Sequence, residues 1–490
     1  MTPTAPNSRV LLLLFALFAA TSAWLASSGL PIARGDDAFY KAPGAELAST
    51  GRFASPSVTG YLPQIEDVYA AYPPLYSWAF AGWVKLFGFS LVSATAFNHA
   101  LHLLGTAALV WAAAALLRPL QLSSAAKTAL VAALAVVHFG NLRFFDRQEE
   151  LALIFVWLEL ALWSGGVRYA ALTGLCVGLA ILVGPWPGML AAGAVGLRML
   201  LEAATARRIP WSHWLTTVFV AALPLGLCLA WVEFNHPGLA ATQFREHVGR
   251  VPKVLAWEHP DDWARSWTYA PYQLPFVLLG VMLLPRALAR PWTPERRAAL
   301  ATTVVSVVAI LAGGAWRADS YVYLWAALLL LFPYLAFAIG TALKQAKSAG
   351  ERRLLLAMTA AATLVALRDP VALAINAAQF PVEDRPQAVF ARLHERIPTS
   401  GIVATTPRYW HAFQNRNPWR QTAILPWISN EERLKWQWIV LPLGHGDERF
   451  RERLLDGFEL VEKWPAHFEL WAPTFAPDER TWAYELYRRR

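Results

Sequence analysis

The chain has 490 residues, of which 56% are hydrophobic and 16% charged, and its mean hydropathy is +0.35. That balance excludes an ordinary string of soluble domains, and the 24 Trp, 25 Phe and 14 Tyr exclude disorder. The two cysteines, Cys176 and Cys228, lie inside apolar runs and exclude a disulfide scaffold; the net charge of +9 is scattered through short loops and gives no nucleic-acid-binding face.

Roughly 20 apolar residues cross a bilayer, and about eleven runs approach that length. They cover residues 10–30, 93–117, 124–140, 149–165, 168–184, 188–203, 214–233, 271–286, 298–315, 320–340 and 354–376. Run 10–30 reads as a retained helix and not a signal peptide, because it is too long for an h-region and no small-x-small site ends it. Lysine and arginine in short loops stay cytoplasmic. An inside N-terminus gathers fifteen basic residues there, from Arg9 through Arg207 and Arg208 to Arg352 and Arg353, against Glu202, Glu295 and Glu351. The C-terminus then lies outside, together with loop 31–92, turn 138–148, loop 234–270 and turn 316–319.

The first outer loop opens Arg34-Gly35-Asp36-Asp37-Ala38-Phe39-Tyr40. Paired carboxylates at a membrane rim are costly to desolvate: one can cap an interfacial helix running through Ala45 and Leu47 while the other faces a substrate. Tyr72-Pro73-Pro74-Leu75, Trp78 and Leu86-Phe87-Gly88 follow, where the prolines start a helix and the aromatics suit the interface. The turn Arg143, Asp146, Arg147, Glu149, Glu150 is read either as an ion-pair network or as a site facing the same side. Arg317, Tyr321 and Tyr323 stand at the mouth of a later span. Glu159 and Glu233 sit alone or near span ends, which is unlike a transport pathway. His236, His247, His259, Asp261 and Asp262 share one loop, but their spacing matches no metal motif. No cofactor is called for, and a divalent metal stays open. From about residue 380 the chain becomes charged and Trp-rich, with strand-like 401–406, 437–442 and 458–462 and helical 386–396 and 447–456.

In order and spacing, these motifs resemble the polytopic GT-C glycosyltransferases, typified by the dolichyl-phosphate-mannose protein mannosyltransferases and the aminoarabinose lipid A transferases. The resemblance rests on Asp36, Asp37 and Tyr40, then Pro73-Pro74-Leu75 with Trp78, then Arg147-Gln148-Glu149. Tyr72 stands where that family often has a phosphate-facing lysine, so phosphate binding is expected from Arg147 or Arg317. The resemblance implies a membrane all-α fold of about eleven spans (domain 1–379) and a small outer α/β domain (380–490). It implies an inverting sugar transfer from a polyprenyl-phosphate donor to a lipid, glycan or protein acceptor, such as lipid A or another cell-envelope glycan. Asp36, and next Asp37, would be the general base, with Asp146 and Glu149 completing the acidic set; Tyr40, Tyr72, Arg147, Arg317 and Tyr321 would bind donor. The expected partners are donor, acceptor and membrane lipids, without nucleic acid, in a bacterial inner membrane. A flippase of lipid-linked saccharides and an O-antigen ligase-like enzyme are the alternatives.

Overall fold

The computed structural model describes residues 5–32, 37–142, 147–163, 169–250, 255, 257–267, 270–289, 293–316, 321–470 and 481–490. The helices are α1 (Ser8–Ser27), α2 (Asp37–Thr50), α3 (Leu75–Phe87), α4 (Leu91–Leu117), α5 (Ser124–Phe139), α6 (Glu149–Trp163), α7 (Ala170–Val183), α8 (Pro185–Ala206), α9 (Trp211–Asn235) and α10 (Leu239–Arg250). They continue with α11 (Pro260–Trp267), α12 (Leu274–Leu288), α13 (Pro294–Trp316), α14 (Tyr321–Gln345), α15 (Ala349–Ala366), α16 (Arg368–Gln379), α17 (Pro386–Arg396), α18 (Trp410–Phe413), α19 (Asn430–Leu434) and α20 (Glu448–Leu455). The strands are β1 (Val403–Thr405), β2 (Trp419–Gln421), β3 (Trp438–Pro442), β4 (Phe458–Trp464) and β5 (Tyr484–Arg489).

A helix accompanies each of the eleven apolar runs. Among the described residues, seven are long and apolar enough to cross a membrane: Ser8–Ser27, Leu91–Leu117, Pro185–Ala206, Trp211–Asn235, Pro294–Gly313, Tyr323–Gln345 and Ala349–Gln379. Ser124–Phe139, Ala170–Val183 and Leu274–Leu288 are shorter apolar helices. Helix α9 leaves Leu215, Val218, Phe219 and Leu227 each more than 60% exposed. An apolar face of that extent is stable only against lipid, and the chain is a multi-pass membrane protein.

The described residues divide into two compact units. Unit 1 comprises Met1–Ala20, Ala100–Trp231 and Val251–Pro370; unit 2 comprises Thr21–His99, Val232–Arg250 and Val371–Arg490. In unit 1, α14 is buried along the whole of its apolar stretch, and α12, α13, α5, α6 and α8 pack on it. Phe18 of α1 stacks on Phe139 of α5 at 4.0 Å. Local capping fixes the helix starts: Ser123 and Ser348 accept the N–H of Ala126 and of Glu351 at the heads of α5 and α15.

Unit 2 holds a mixed sheet of order β2-β1-β3-β5-β4. Strand β1 runs parallel to β2 and β3, and β5 runs antiparallel to β3 and β4. The expected strands 401–406, 437–442 and 458–462 coincide with β1, β3 and β4, while β2 and β5 carry no comparable signal. Part of the core of the sheet is shared with the segment between α2 and α3. Val58, Tyr61, Leu62, Ile65 and Tyr69 of loop 31–92 share a single apolar cluster with Ile424, Trp436, Ile439, Leu441, Phe458 and Tyr487. The loop groups with the sheet in unit 2, where its buried aromatics have their partners.

Candidate functional site

Helix α2 carries the centre of unit 2. Asp37 opens the helix and Lys41 lies one turn on, so their side chains meet on one face. They form an ion pair in which the lysine is 1% exposed and the aspartate fully buried. Trp410 donates its indole N–H to Asp37 Oδ2 at 3.1 Å, and Lys41 Nζ also donates to the Ala94 carbonyl at 3.4 Å. The ammonium lies over the rings of Phe80, 5.4 Å from its centroid, and Phe97, at 6.0 Å. His411 Nε2 is 3.7 Å from Asp37 Oδ2. Burial pushes this histidine down to about 3; Asp37 opposes that shift and Lys41 adds to it. The ring is therefore neutral at ordinary pH, and neither of its nitrogens finds a hydrogen-bond partner among the described residues.

This arrangement needs α2 to lie close to α3. Gly44 permits it, since a Cβ there would stand 2.3 Å from the Ser77 carbonyl oxygen. The Ser77 hydroxyl donates to the Tyr40 carbonyl at 2.6 Å. On the opposite face of α2, Glu46, Ser49 and Thr50 line an open cleft of about 420 Å³ with Asn415, Arg416 and Asn417. Its volume is in the range of small-molecule sites.

Beside the pair stands an aromatic wall. Tyr40 and Tyr72 meet edge to face at 5.5 Å, and Phe39 contacts both. His247 of α10 bridges two phenols, Tyr61 to Nδ1 at 3.0 Å and Tyr72 to Nε2 at 2.9 Å. A neutral imidazole has one N–H, so one phenol donates and the other accepts. Burial raises the Tyr61 pKa, opposed by Arg250, and the phenol keeps its proton. One turn earlier, Gln243 donates to the carbonyls of Pro63, at 2.7 Å, and Val68, at 2.9 Å, and accepts the Ala70 N–H at 2.9 Å. Helix α10 thus clamps the loop that bears Tyr72.

In unit 1, Arg147 forks onto Glu149, Nε to Oε2 at 3.0 Å and Nη2 to Oε1 at 3.2 Å. Glu149 is buried at the head of α6, where its charge also suits the helix dipole. Glu159 is not solitary, as its place in the sequence suggested: it pairs with Arg198 of α8, one of whose contacts is Nη1 to Oε2 at 3.3 Å. Arg198, one of the fifteen basic residues that charge counting places in cytoplasmic loops, is 4% exposed inside α8. The physical reason is that a lone carboxylate at such depth is costly, and pairing it offsets that cost. The histidines of loop 234–270 serve separate purposes: His247 binds phenols, and His259 lies 3.9 Å from Asp262. Among the described residues, the group with convergent metal-ligating atoms is instead His102, His138 and Glu150.

Of the expected site residues, the structure brings Asp37, Tyr40 and Tyr72 together in unit 2 and pairs Arg147 with Glu149 in unit 1. Asp36, Asp146, Arg317 and the side chain of Tyr321 lie outside the described residues. Sequence reasoning passed over Lys41, Trp410, His411 and Gln243. Lys41 alone left a signal, its i+4 spacing from Asp37; the other three are joined to the site only by long-range contacts.

No family model matches the sequence, and no curated protein matches it significantly. Solved structures do match. ArnT from Cupriavidus metallidurans, both in the apo state and bound to undecaprenyl phosphate, is 13% identical and superposes with a TM-score of 0.62 over 98% of each chain. The mycobacterial arabinofuranosyltransferase AftD is 16% identical, with a TM-score of 0.52 over all of this chain and 40% of its own. The Archaeoglobus fulgidus oligosaccharyltransferase in the apo form is 10% identical, with a TM-score of 0.51 over 88% of this chain and 69% of its own. The fold is the one shared by these GT-C glycosyltransferases.

Proposed function

We propose that this chain is an integral-membrane glycosyltransferase that moves a sugar from a polyprenyl-phosphate carrier to a lipid, glycan or protein acceptor on the outer face of the membrane. The observation that carries this reading is the whole-length likeness to ArnT, one structure of which holds undecaprenyl phosphate. The N-terminus is cytoplasmic and the sheet-bearing unit faces outward, following the distribution of basic residues.

The two adjacent aspartates have different tasks. Asp37 is fully buried and committed to Lys41 and Trp410, so it serves as the positioning residue that fixes the start of α2. Asp36, immediately before it, is the general base that takes the proton from the acceptor hydroxyl. The hydroxyl oxygen attacks the anomeric carbon, the carbon–phosphate oxygen bond breaks with inversion, and the polyprenyl phosphate leaves with the electron pair. A departing phosphate needs neutralisation more than protonation, a task for positive charge, with Arg147 and Arg317 as the residues assigned to it. Tyr40 and Tyr72 line the approach, and the cleft on the other face of α2 is sized for a sugar-bearing acceptor.

The test is transfer of radiolabelled sugar from a polyprenyl-phosphate donor in membranes. Asp36→Asn is expected to lower turnover by about 10²–10⁴-fold, the range for removing a general base, at unchanged protein level. Full activity in Asp36→Asn removes the assignment of the base. Absence of transfer by the wild type from every polyprenyl-phosphate sugar offered removes the function.

A further inference from the structure

His102 of α4, His138 of α5 and Glu150 of α6 have side chains that are each 1% exposed. Glu150 Oε1 is 3.2 Å from His102 Nδ1 and 3.4 Å from His138 Nε2, and the three ligating atoms lie within 4.8 Å of one another. The opposite nitrogen of each ring is already spoken for. His102 Nε2 meets the Phe139 carbonyl at 3.1 Å, which can only accept, so this nitrogen carries a proton. Thr106 gives its one hydroxyl proton to the His102 carbonyl at 2.8 Å and therefore accepts from His138 Nδ1 at 2.9 Å. In their neutral forms both histidines thus turn a lone pair toward a single carboxylate oxygen. One proton on Glu150 can satisfy one of those nitrogens, whereas a cation satisfies both.

We propose that His102 Nδ1, His138 Nε2 and Glu150 Oε1 bind one divalent metal ion of the zinc type, which rivets the head of α6 to α4 and α5. Two imidazoles and a carboxylate form a donor set that zinc accepts. Bonds of about 2.0–2.1 Å at tetrahedral angles place neighbouring ligand atoms about 3.3–3.4 Å apart, matching the two edges at Glu150. Each ligating histidine donates its other N–H to a fixed acceptor, the outer-shell pattern that orients metal ligands. The backbone leaves room for the carboxylate: a Cβ on Gly105 would stand 2.3 Å from Glu150 Oε1. Because Glu150 follows Glu149, which holds Arg147, the ion fixes the place where that ion pair is presented. Its role is positioning, and it stands whether or not the glycosyl-transfer reading holds.

The test uses full-length protein purified in detergent without a polyhistidine tag. Elemental analysis is expected to find about one zinc per chain in the wild type. Loading the metal-depleted protein with Co²⁺ is expected to give the intense visible bands of a low-coordinate site. Both signals should fall at least several-fold in His102→Ala, His138→Ala and the nearly isosteric Glu150→Gln, and in Gly105→Ala, which crowds the carboxylate without removing a ligand. A wild type that neither retains zinc nor takes up Co²⁺ overturns the proposal, and so does undiminished metal in folded variants. Should the histidine variants fail to fold, the wild-type Co²⁺ spectrum and the Glu150→Gln and Gly105→Ala measurements still decide. Metal content is read independently of sugar transfer, so failure of one assay leaves the other interpretable.

Discussion

Replacing Lys41 by methionine isolates the energetics of the Asp37 site. Lysine and aspartate are 1% and 0% exposed, so solvent does not screen the pair. Methionine keeps the side-chain length and removes the charge, leaving a buried carboxylate with the Trp410 N–H as its remaining hydrogen bond among the described residues. Breaking one side of a buried ion pair costs about 3–5 kcal/mol. At roughly 2–4 °C per kcal/mol for units of this size, the unfolding midpoint should fall by about 6–20 °C. Arg52→Ala is the internal control: its partner Asp67 is 3.7 Å away, with the two side chains 56% and 66% exposed, and such pairs are worth about 0–1 kcal/mol. Asp37→Leu added to Lys41→Met removes the orphaned charge and should recover a large part of the loss. The assay is intrinsic tryptophan fluorescence of detergent-purified protein at one fixed scan rate, because unfolding of a membrane protein is read as kinetic stability. If Lys41→Met shifts the midpoint no more than Arg52→Ala does, the claim that this buried pair holds α2 in place is wrong.

Three further outcomes follow from the same geometry. His411 has a folded pKa of about 3 against an ordinary 6.5. On acidification the unfolded chain binds a proton there first, so stability present above pH 6.5 is lost at about 1.4 kcal/mol per pH unit as pH falls toward 3; His411→Phe should flatten the fall of the melting midpoint between about pH 7 and 5, and an unaltered slope refutes the assignment. Gly44→Ala puts a Cβ 2.3 Å from a backbone oxygen that no rotamer change can clear, and should cost about 1–3 kcal/mol, whereas Gly82→Ala on α3 meets open space and should be neutral or stabilising; equal melting points for the two would contradict the close approach of α2 and α3. Gln243→Ala removes three hydrogen bonds to the loop from Pro63 to Ala70, worth about 2–4 kcal/mol in total with the groups left unpaired; limited proteolysis should then cut within residues 61–72 much faster than in the wild type, and an unchanged cleavage rate argues against the clamp.

The helices were legible because hydrophobic length is a local property: a run such as 93–117 or 320–340 must satisfy its backbone internally in lipid, and only a helix does so. Helix α3 was legible from its paired prolines, and β1, β3 and β4 from short apolar runs between turns. Helix α2 and the Asp37–Lys41 pair were within reach, since i and i+4 meet on any helix. Strand β2 was missed because Trp419-Arg420-Gln421 has no periodicity to read, and β5 because its charged sequence resembles a solvated tail until strands flank it on both sides.

What the sequence determined by itself is the class of molecule: apolar length, the placement of basic loops, and the Asp-Asp-x-x-Tyr and Pro-Pro-Leu motifs are all written within a few tens of residues. What only the tertiary structure decided is which charged and polar side chains are paired inside the fold, and with what. Asp37 meets Trp410 across 373 positions, Tyr61 meets His247 across 186, and Glu159 meets Arg198 across 39. Burial makes such partners obligatory, because a carboxylate withdrawn from water must find a cation or a donor, while chain spacing says nothing about where that partner comes from.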